Sequence, residues 1–266
     1  MLEIGQCGSC WSFAAAEQVE SDIMRVYGEN ATYILSEQQL LDCDTEYQNG
    51  CDGGVVSFAF EFWTQNYVEQ NSTYPYVSGS NALTGTCSYN PDDGIAIIKD
   101  YYALSRDETC MAVYVQTYGP AAAAVNADSW DYYGGGLWTA EDCGYGVIDH
   151  AVQIVGVNIP DGYWIIRNTW GTNWGEDGYI YLEFGVNACN ITAIPALITD
   201  PYLLGTPTSS DSNKKSLSAG AIAGIVIAIV IVVGVIVGVL IWYCVYRKKE
   251  YDKPAENIAL SVSENL

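Results

Sequence analysis

Apolar side chains recur at helical spacing between residues 10 and 27, where Phe13, Ala14, Val19, Ile23 and Val26 punctuate a run that opens CWSFAAAEQ. Ser36-Glu37-Gln38-Gln39 is a capping-box pattern and predicts a second helix running through Leu40 and Leu41. Residues 55–67 and 107–118 read as two further helices, the latter closed by Gly119-Pro120. Beyond that point the texture changes. Residues 121–125, 150–157, 163–168 and 178–184 are short β-rich runs separated by glycine and aspartate. Helices first and strands later predict an α+β arrangement, a mainly helical half packed against a sheet-rich half. Residues 199–216, rich in Thr, Ser, Pro and Asp, read as a stalk, and no internal repeat is present.

One further pattern is unlike the rest. Residues 219–245 contain no charge and consist largely of Ile, Val, Ala and Gly. At about 1.5 Å of rise per residue such a helix reaches roughly 40 Å, beyond the ~30 Å of a bilayer's hydrocarbon core, so a single tilted transmembrane helix is expected over 217–246. Lys214 and Lys215 precede it, while Arg247, Lys248, Lys249 and Lys253 follow. The excess of positive charge after the span places the tail 247–266 in the cytosol, with Trp242, Tyr243 and Tyr246 at headgroup level. Everything before the span then faces a lumen or the cell exterior.

Composition agrees with that placement. Eight of the nine cysteines precede the span, where an oxidising compartment favours disulfides. Zinc is the competing use of clustered cysteines, but the spacings are irregular and His150 is the sole histidine. The glycosylation sequons at Asn30, Asn71 and Asn190 fall on the same side. Residues 1–200 carry four basic side chains against twenty-seven Asp and Glu, a surface that repels nucleic acid and anionic lipid and favours solubility, an acidic lumen included.

The chemistry begins at CGSCW, residues 7–11. A nucleophilic cysteine must be a thiolate, and a helix N-terminus beside an imidazolium lowers its pKa. Cys10 stands where the first helix starts, and the imidazole can only be that of His150. Such a histidine needs its second ring nitrogen held, which a side-chain amide does without taking the proton. Asn168 is the natural orienter, with Trp170 and Trp174 available to shield the hydrogen bond from water.

On these residues, and on SEQQLLDC, GCDGG, YPY, DHAVQIVGV and NTWGTNWGEDGYI, the chain over residues 5–199 resembles the papain-like cysteine proteases, the cathepsin L and B group. The resemblance implies a two-lobed fold with a helical lobe over about 5–95, a β-barrel-like lobe over about 96–199 and an active-site cleft between them, the whole domain being residues 1–199. It implies Cys10 as nucleophile, His150 as general acid and base, and Asn168 as orienter. It implies disulfides Cys7–Cys51, Cys43–Cys87 and Cys143–Cys189, which leaves Cys110 as a buried free thiol and Cys244 at the membrane face. Gly53 and Gly54 match glycines that pair with an extended substrate. Val55, Val56, Ala124, Ile148, Ala151 and Ile194 match the pocket for the second residue before the scissile bond; all six are apolar, so an aliphatic preference is expected. Peptides or proteins are the implied substrates, with no metal or cofactor.

Two departures stand out. NTW replaces the family's usual NSW, a mild change. The family also places an oxyanion-holding glutamine six residues before the nucleophile, where this chain has Ile4; Gln6, four before, does not take its place. The expectation is therefore that the natural chain carries a signal peptide, an inhibitory propeptide and a first mature segment upstream of Gly5. The reading is a membrane-anchored endopeptidase of a lysosome-like, vacuolar or surface compartment. The rival is a catalytically impaired ectodomain that binds peptides or mediates adhesion, and transpeptidation is a third possibility.

Overall fold

The computed structural model describes residues 4–199 and 201–204; the predicted span and tail and most of the stalk lie outside them, while Tyr202 and Leu203, expected in the stalk, pair as a strand with Ala96 and Ile97. Among the described residues no helix is long and apolar enough to cross a membrane. The first element is α1 (Cys10–Tyr27), whose residues from Trp11 to Val19 are all buried. A helix buried all round must be narrow where neighbours crowd it, and Ala14-Ala15-Ala16 supply that. Helix α2 (Glu37–Cys43) is capped by Ser36, whose Oγ accepts from the Gln39 N–H at 2.9 Å. Only half of the capping box forms: the Gln39 side chain instead donates to the Tyr67 carbonyl and accepts from Trp63 Nε1 and the Glu69 N–H. Helix α3 (Val56–Gln65) is shorter than the pattern suggested, and α4 (Glu108–Tyr118) is capped by Asp107, which accepts from the Cys110 N–H.

Among the described residues there are nine strands: β1 (Ala96–Ile97), β2 (Asp100–Ala103), β3 (Ala121–Val125), β4 (Leu137–Trp138), β5 (His150–Asn158), β6 (Tyr163–Arg167), β7 (Tyr179–Glu183), β8 (Ala196–Thr199) and β9 (Tyr202–Leu203). β1 and β9 form a separate antiparallel pair. The others form one sheet in the order β2-β8-β3-β5-β6-β7-β4, antiparallel except for the parallel β4–β7 edge. The barrel-like lobe is thus an open ladder of seven strands. The four long β runs are where periodicity placed them; β1, β2, β4, β8 and β9 are two to four residues long, too short to show a period.

Two apolar cores result. One joins α1, α2 and α3 through Trp11, Leu40, Leu41, Phe60 and Trp63; the other packs α4 against the sheet through Met111, Trp130, Ile154, Trp164, Ile166 and Leu182. Helix α1 is tied to the sheet by polar groups as well. Gln153 on β5 donates to the Glu17 carbonyl and Ser21 Oγ, and Arg167 on β6 pairs with Glu17 at 3.1 Å.

Disulfides join Cys7 to Cys51, Cys43 to Cys87 and Cys143 to Cys189. Cys110 corrects an expectation. It is buried, at 4% exposure, but it is disulfide-bonded, and among the described residues Cys10 alone is free. Burial does not distinguish the two states, because a thiol and a half-cystine are both apolar sulfur in a packed core.

Several carboxyls are buried with little cationic compensation. Burial pushes Glu17 up to about 8 against the pull of Arg167, and does the same to Glu37, also about 8, and Asp44, about 7. The unfolded chain gives up these protons near the ordinary carboxylate range, whereas the folded chain keeps them until pH 7 or 8. Their contribution to stability is therefore complete below about pH 4.5 and is lost as pH rises through their folded pKa values. The midpoint of thermal unfolding should fall between about pH 5 and about pH 8, and Glu37→Gln should flatten that fall; a midpoint that rises over this range would contradict the assignment.

Candidate active site

The site is assembled from three separate pieces of chain. The turn leading into α1 brings Gly8 so close to Cys51 that a Cβ at Gly8 would lie 2.4 Å from the Cys51 carbonyl oxygen. That contact, the Gly8 N–H to Cys51 carbonyl hydrogen bond of 2.9 Å and the Cys7–Cys51 disulfide set the direction in which α1 starts. Cys10 is its first residue, partly buried, with the Trp11 N–H and the positive end of the helix dipole beside its sulfur.

His150 begins β5 and is 6% exposed. Its Nε2 lies 2.7 Å from Oδ1 of Asn168, a fully buried residue just past β6. That contact leaves Nδ1 for Cys10, to which the imidazole is hydrogen-bonded. The Asn168 Oδ1 also accepts from the Thr169 N–H at 2.8 Å, which fixes the amide's orientation. Burial by itself pushes the Cys10 thiol up; the hydrogen bond and charge of His150, with backbone N–H groups of Ala151 and Trp11, outweigh it and leave the thiol below its usual pKa. Burial likewise pulls His150 down, and Cys10 and Asn168 reverse this, so the imidazole is held above its ordinary value. Opposite shifts of this kind favour a thiolate–imidazolium pair, an attacking sulfur with a proton donor beside it.

Two indoles meet the imidazole and a third packs behind them. Trp170 lies 5.2 Å from it at a 34° tilt, and Trp174 packs on Trp170 and on Trp130 rather than on the ring itself. Trp130, which the sequence did not single out, meets His150 edge-on at 6.0 Å. It sits in the loop after β3 and donates through Nε1 to Cys189 Sγ, so nothing local to His150 in sequence marks it.

Beside Cys10 and His150 opens a cavity of about 350 Å³. Gly53, Gly54, Val55, Val56, Ala124, Ile148, Ala151 and Ile194 all line it. So do Gly8, Cys51, Asp52 and Asp149, none of which was expected on the cavity wall, although Cys51 was expected to pair with Cys7. The two glycines are demanded by the fold itself. Gly53 has φ 113°, and a Cβ on Gly54 would lie 2.6 Å from the Trp11 ring and 2.4 Å from Gln48 Oε1. Neither Ile4 nor Gln6 is on the cavity wall. Ile4 lies against the loop after Asn168, its N–H 3.4 Å from the Thr169 carbonyl and its own carbonyl accepting from Tyr76 Oη. Of the sequon asparagines, Asn30 and Asn190 are exposed, while Asn71 is half-buried and its Oδ1 accepts from the Tyr76 N–H.

This architecture has close counterparts. Cysteine proteinase 1 of Dictyostelium discoideum is 38% identical over 71% of this chain and 58% of its own length. A cathepsin L-like proteinase of Fasciola hepatica is 37% identical over 73% and 59%, and a cysteine proteinase of Trypanosoma brucei brucei 42% identical over 70% and 41%. The chain thus spans about half the length of the curated relatives it matches. Among solved structures, the digestive procathepsin L2 proteinase of the Tenebrio molitor larval midgut superposes with a TM-score of 0.69 at 33% identity, covering 75% of this chain and 64% of that one. A model of the Giardia variant-specific surface protein matches residues 182–250. The model of the papain family cysteine proteases matches residues 2–198, and the chain belongs to that family.

Proposed function

We propose that the chain is a cysteine endopeptidase held to a membrane by its C-terminal span. The observation that carries the peptidase reading is the array in which Cys10 is hydrogen-bonded to His150 and His150 to Asn168, at the edge of an apolar cavity. In this reading the Cys10 thiolate attacks the carbonyl carbon of the scissile bond. The Cys10 N–H, at the helix start, donates to the developing oxyanion. The tetrahedral intermediate collapses to a thioester as His150 passes its proton to the departing amine. Water, deprotonated by His150, then attacks the thioester, and the carboxylic acid leaves as the thiolate and imidazolium are restored. Asn168 holds the ring throughout, and the indoles of Trp170, Trp174 and Trp130 keep water from that hydrogen bond.

Substrate preference follows from the cavity. Val55, Val56, Ala124, Ile148, Ala151 and Ile194 offer no charge to the second residue before the scissile bond, which favours Leu, Val or Phe there. Anchoring is supported by the 27 uncharged residues of 219–245 and by the similarity of 182–250 to a surface-protein family. The basic residues after the span put the enzyme domain in a lumen or outside the cell, in keeping with its disulfides and with the exposed Asn30 and Asn190 as sugar acceptors. The rival, a peptide-binding ectodomain with impaired chemistry, is favoured by Ile4 standing where a second oxyanion donor is expected.

Cys10→Ser and His150→Ala should each lower kcat/KM on peptides by more than about a thousandfold while the disulfides and unfolding midpoint persist. The active ion pair exists above the lowered pKa of Cys10 and below the raised pKa of His150, so the pH profile of kcat/KM should show a plateau widened on both sides. Retained turnover in His150→Ala would exclude this mechanism, whereas a wild type that binds peptides without cleaving them would favour the binding reading. On a peptide library, Leu or Val should dominate two residues before the cut, and Ile194→Glu should raise the rate with Arg there by about tenfold or more; a wild-type preference for Arg would contradict the cavity's assignment. Protease added outside sealed vesicles should trim only the segment after Arg247 and spare the glycosylated domain; digestion of the domain with the tail protected would reverse the orientation.

A further inference from the structure

Residues 44–49 leave α2 as an open loop, and from Thr45 to Asn49 only Gln48 is buried, at 6% exposure. It turns inward onto the backbone of Val55, the residue that caps the start of α3. Gln48 Nε2 donates to the Val55 carbonyl at 2.8 Å, and Gln48 Oε1 accepts from the Val55 N–H at 2.7 Å. One side-chain amide thus pairs with both polar groups of one residue, as a neighbouring antiparallel strand would. Val55 is itself buried, so without Gln48 its N–H would be left unsatisfied away from water.

The segment so held is the one that lines the cavity beside Cys10, through Gly53, Gly54, Val55 and Val56. The Gly53 carbonyl accepts from the Asn49 N–H at 3.0 Å, and the Gly53 N–H donates to the Gly50 carbonyl at 3.4 Å. Gln48 occupies both groups of Val55. Among the described residues, neither backbone group of Gly54 has a hydrogen-bond partner. The fold therefore leaves Gly54, between two occupied neighbours, with an N–H and a carbonyl for an extended peptide. Gln48 also lies directly against this residue: a Cβ on Gly54 would be 2.4 Å from Gln48 Oε1 and 2.6 Å from the Trp11 ring. Trp11 is fixed in turn by its Nε1, which donates to the Gly50 carbonyl at 3.1 Å.

We infer that Gln48 is a positioning residue for peptide binding: its amide fixes the height and tilt at which the Gly54 backbone meets a substrate, and with it the Val55 wall of the pocket. This role does not touch the thiol–imidazole pair, which α1 and β5 hold by other contacts. With the amide gone, the Val55 N–H turns to find another acceptor, and the Gly54 edge turns with it. Binding of the residues before the cut then weakens while the reactivity of Cys10 stays. The inference rests on the peptidase reading for the place of the peptide, but it does not require that the bound peptide be cleaved.

The test uses the full chain in detergent, with Gln48→Met, which keeps the length of the side chain and loses both hydrogen bonds, and Gln48→Ala. Two substrates are compared. One is a fluorogenic peptide with several residues before the cleaved bond, Leu being the second; the other is the p-nitrophenyl ester of a single amino acid, which has no second residue to lie against Gly54. Gln48→Met should raise KM for the peptide by about tenfold and leave kcat within about twofold of the wild type. The ester's kcat/KM and the rate at which iodoacetamide alkylates Cys10 should both stay within about twofold, since they need only the thiolate–imidazolium pair. Gln48→Ala should act in the same direction, and the Met variant carries the test even if the Ala variant fails to fold. An unchanged peptide KM in Gln48→Met, or an equal loss on peptide, ester and alkylation, would overturn the proposal. If the wild type binds the peptide without cleaving it, the peptidase reading fails, while a Kd about tenfold weaker in Gln48→Met still supports the role of Gln48.

Discussion

The seat of α1 on β5 and β6 is the constraint on which the site depends. Cys10 and His150 belong to different elements, 140 positions apart, and nothing near either residue in sequence sets the distance between them. It is set by the small Ala14-Ala15-Ala16 stretch, which lets neighbours approach the helix closely, and by Gln153 and Arg167, which grip the Glu17 carbonyl and carboxyl. Truncating these anchors would act on the chemistry without touching a reacting atom, because the thiol–imidazole hydrogen bond tolerates little displacement.

That seat is polar as well as apolar, and electrostatically lopsided. Glu17 and Glu37 are buried around α1 and α2, while the cation nearest to them is Arg167 on β6. Burying carboxyls with so little compensation is tolerable where they are protonated, which ties the fold to mildly acidic conditions.

Much of this was legible beforehand for identifiable reasons. The four helices and four long strands carry at least one full period of side-chain burial, so composition alone reveals them. CGSCW, His150 and Asn168 were legible because few residue types can perform nucleophilic catalysis, and this chain has one histidine. The cavity wall of Val55, Val56, Ala124, Ile148, Ala151 and Ile194 came from the family resemblance, since six scattered apolar residues have no signature of their own. Trp130 was not legible. An indole twenty residues upstream of His150 becomes meaningful only when a loop folds back onto a strand.

The sequence by itself determined the kinds of element, the chemistry available and the composition of the C-terminal span, because each depends on residue type and local spacing. Tertiary structure decided the rest. It made Gly54 obligatory, since Trp11 and Gln48 occupy the space its side chain would need, and it placed Trp130 at the edge of His150. Each of these is a contact between segments far apart in the chain, and its energy depends on a distance that no local pattern encodes.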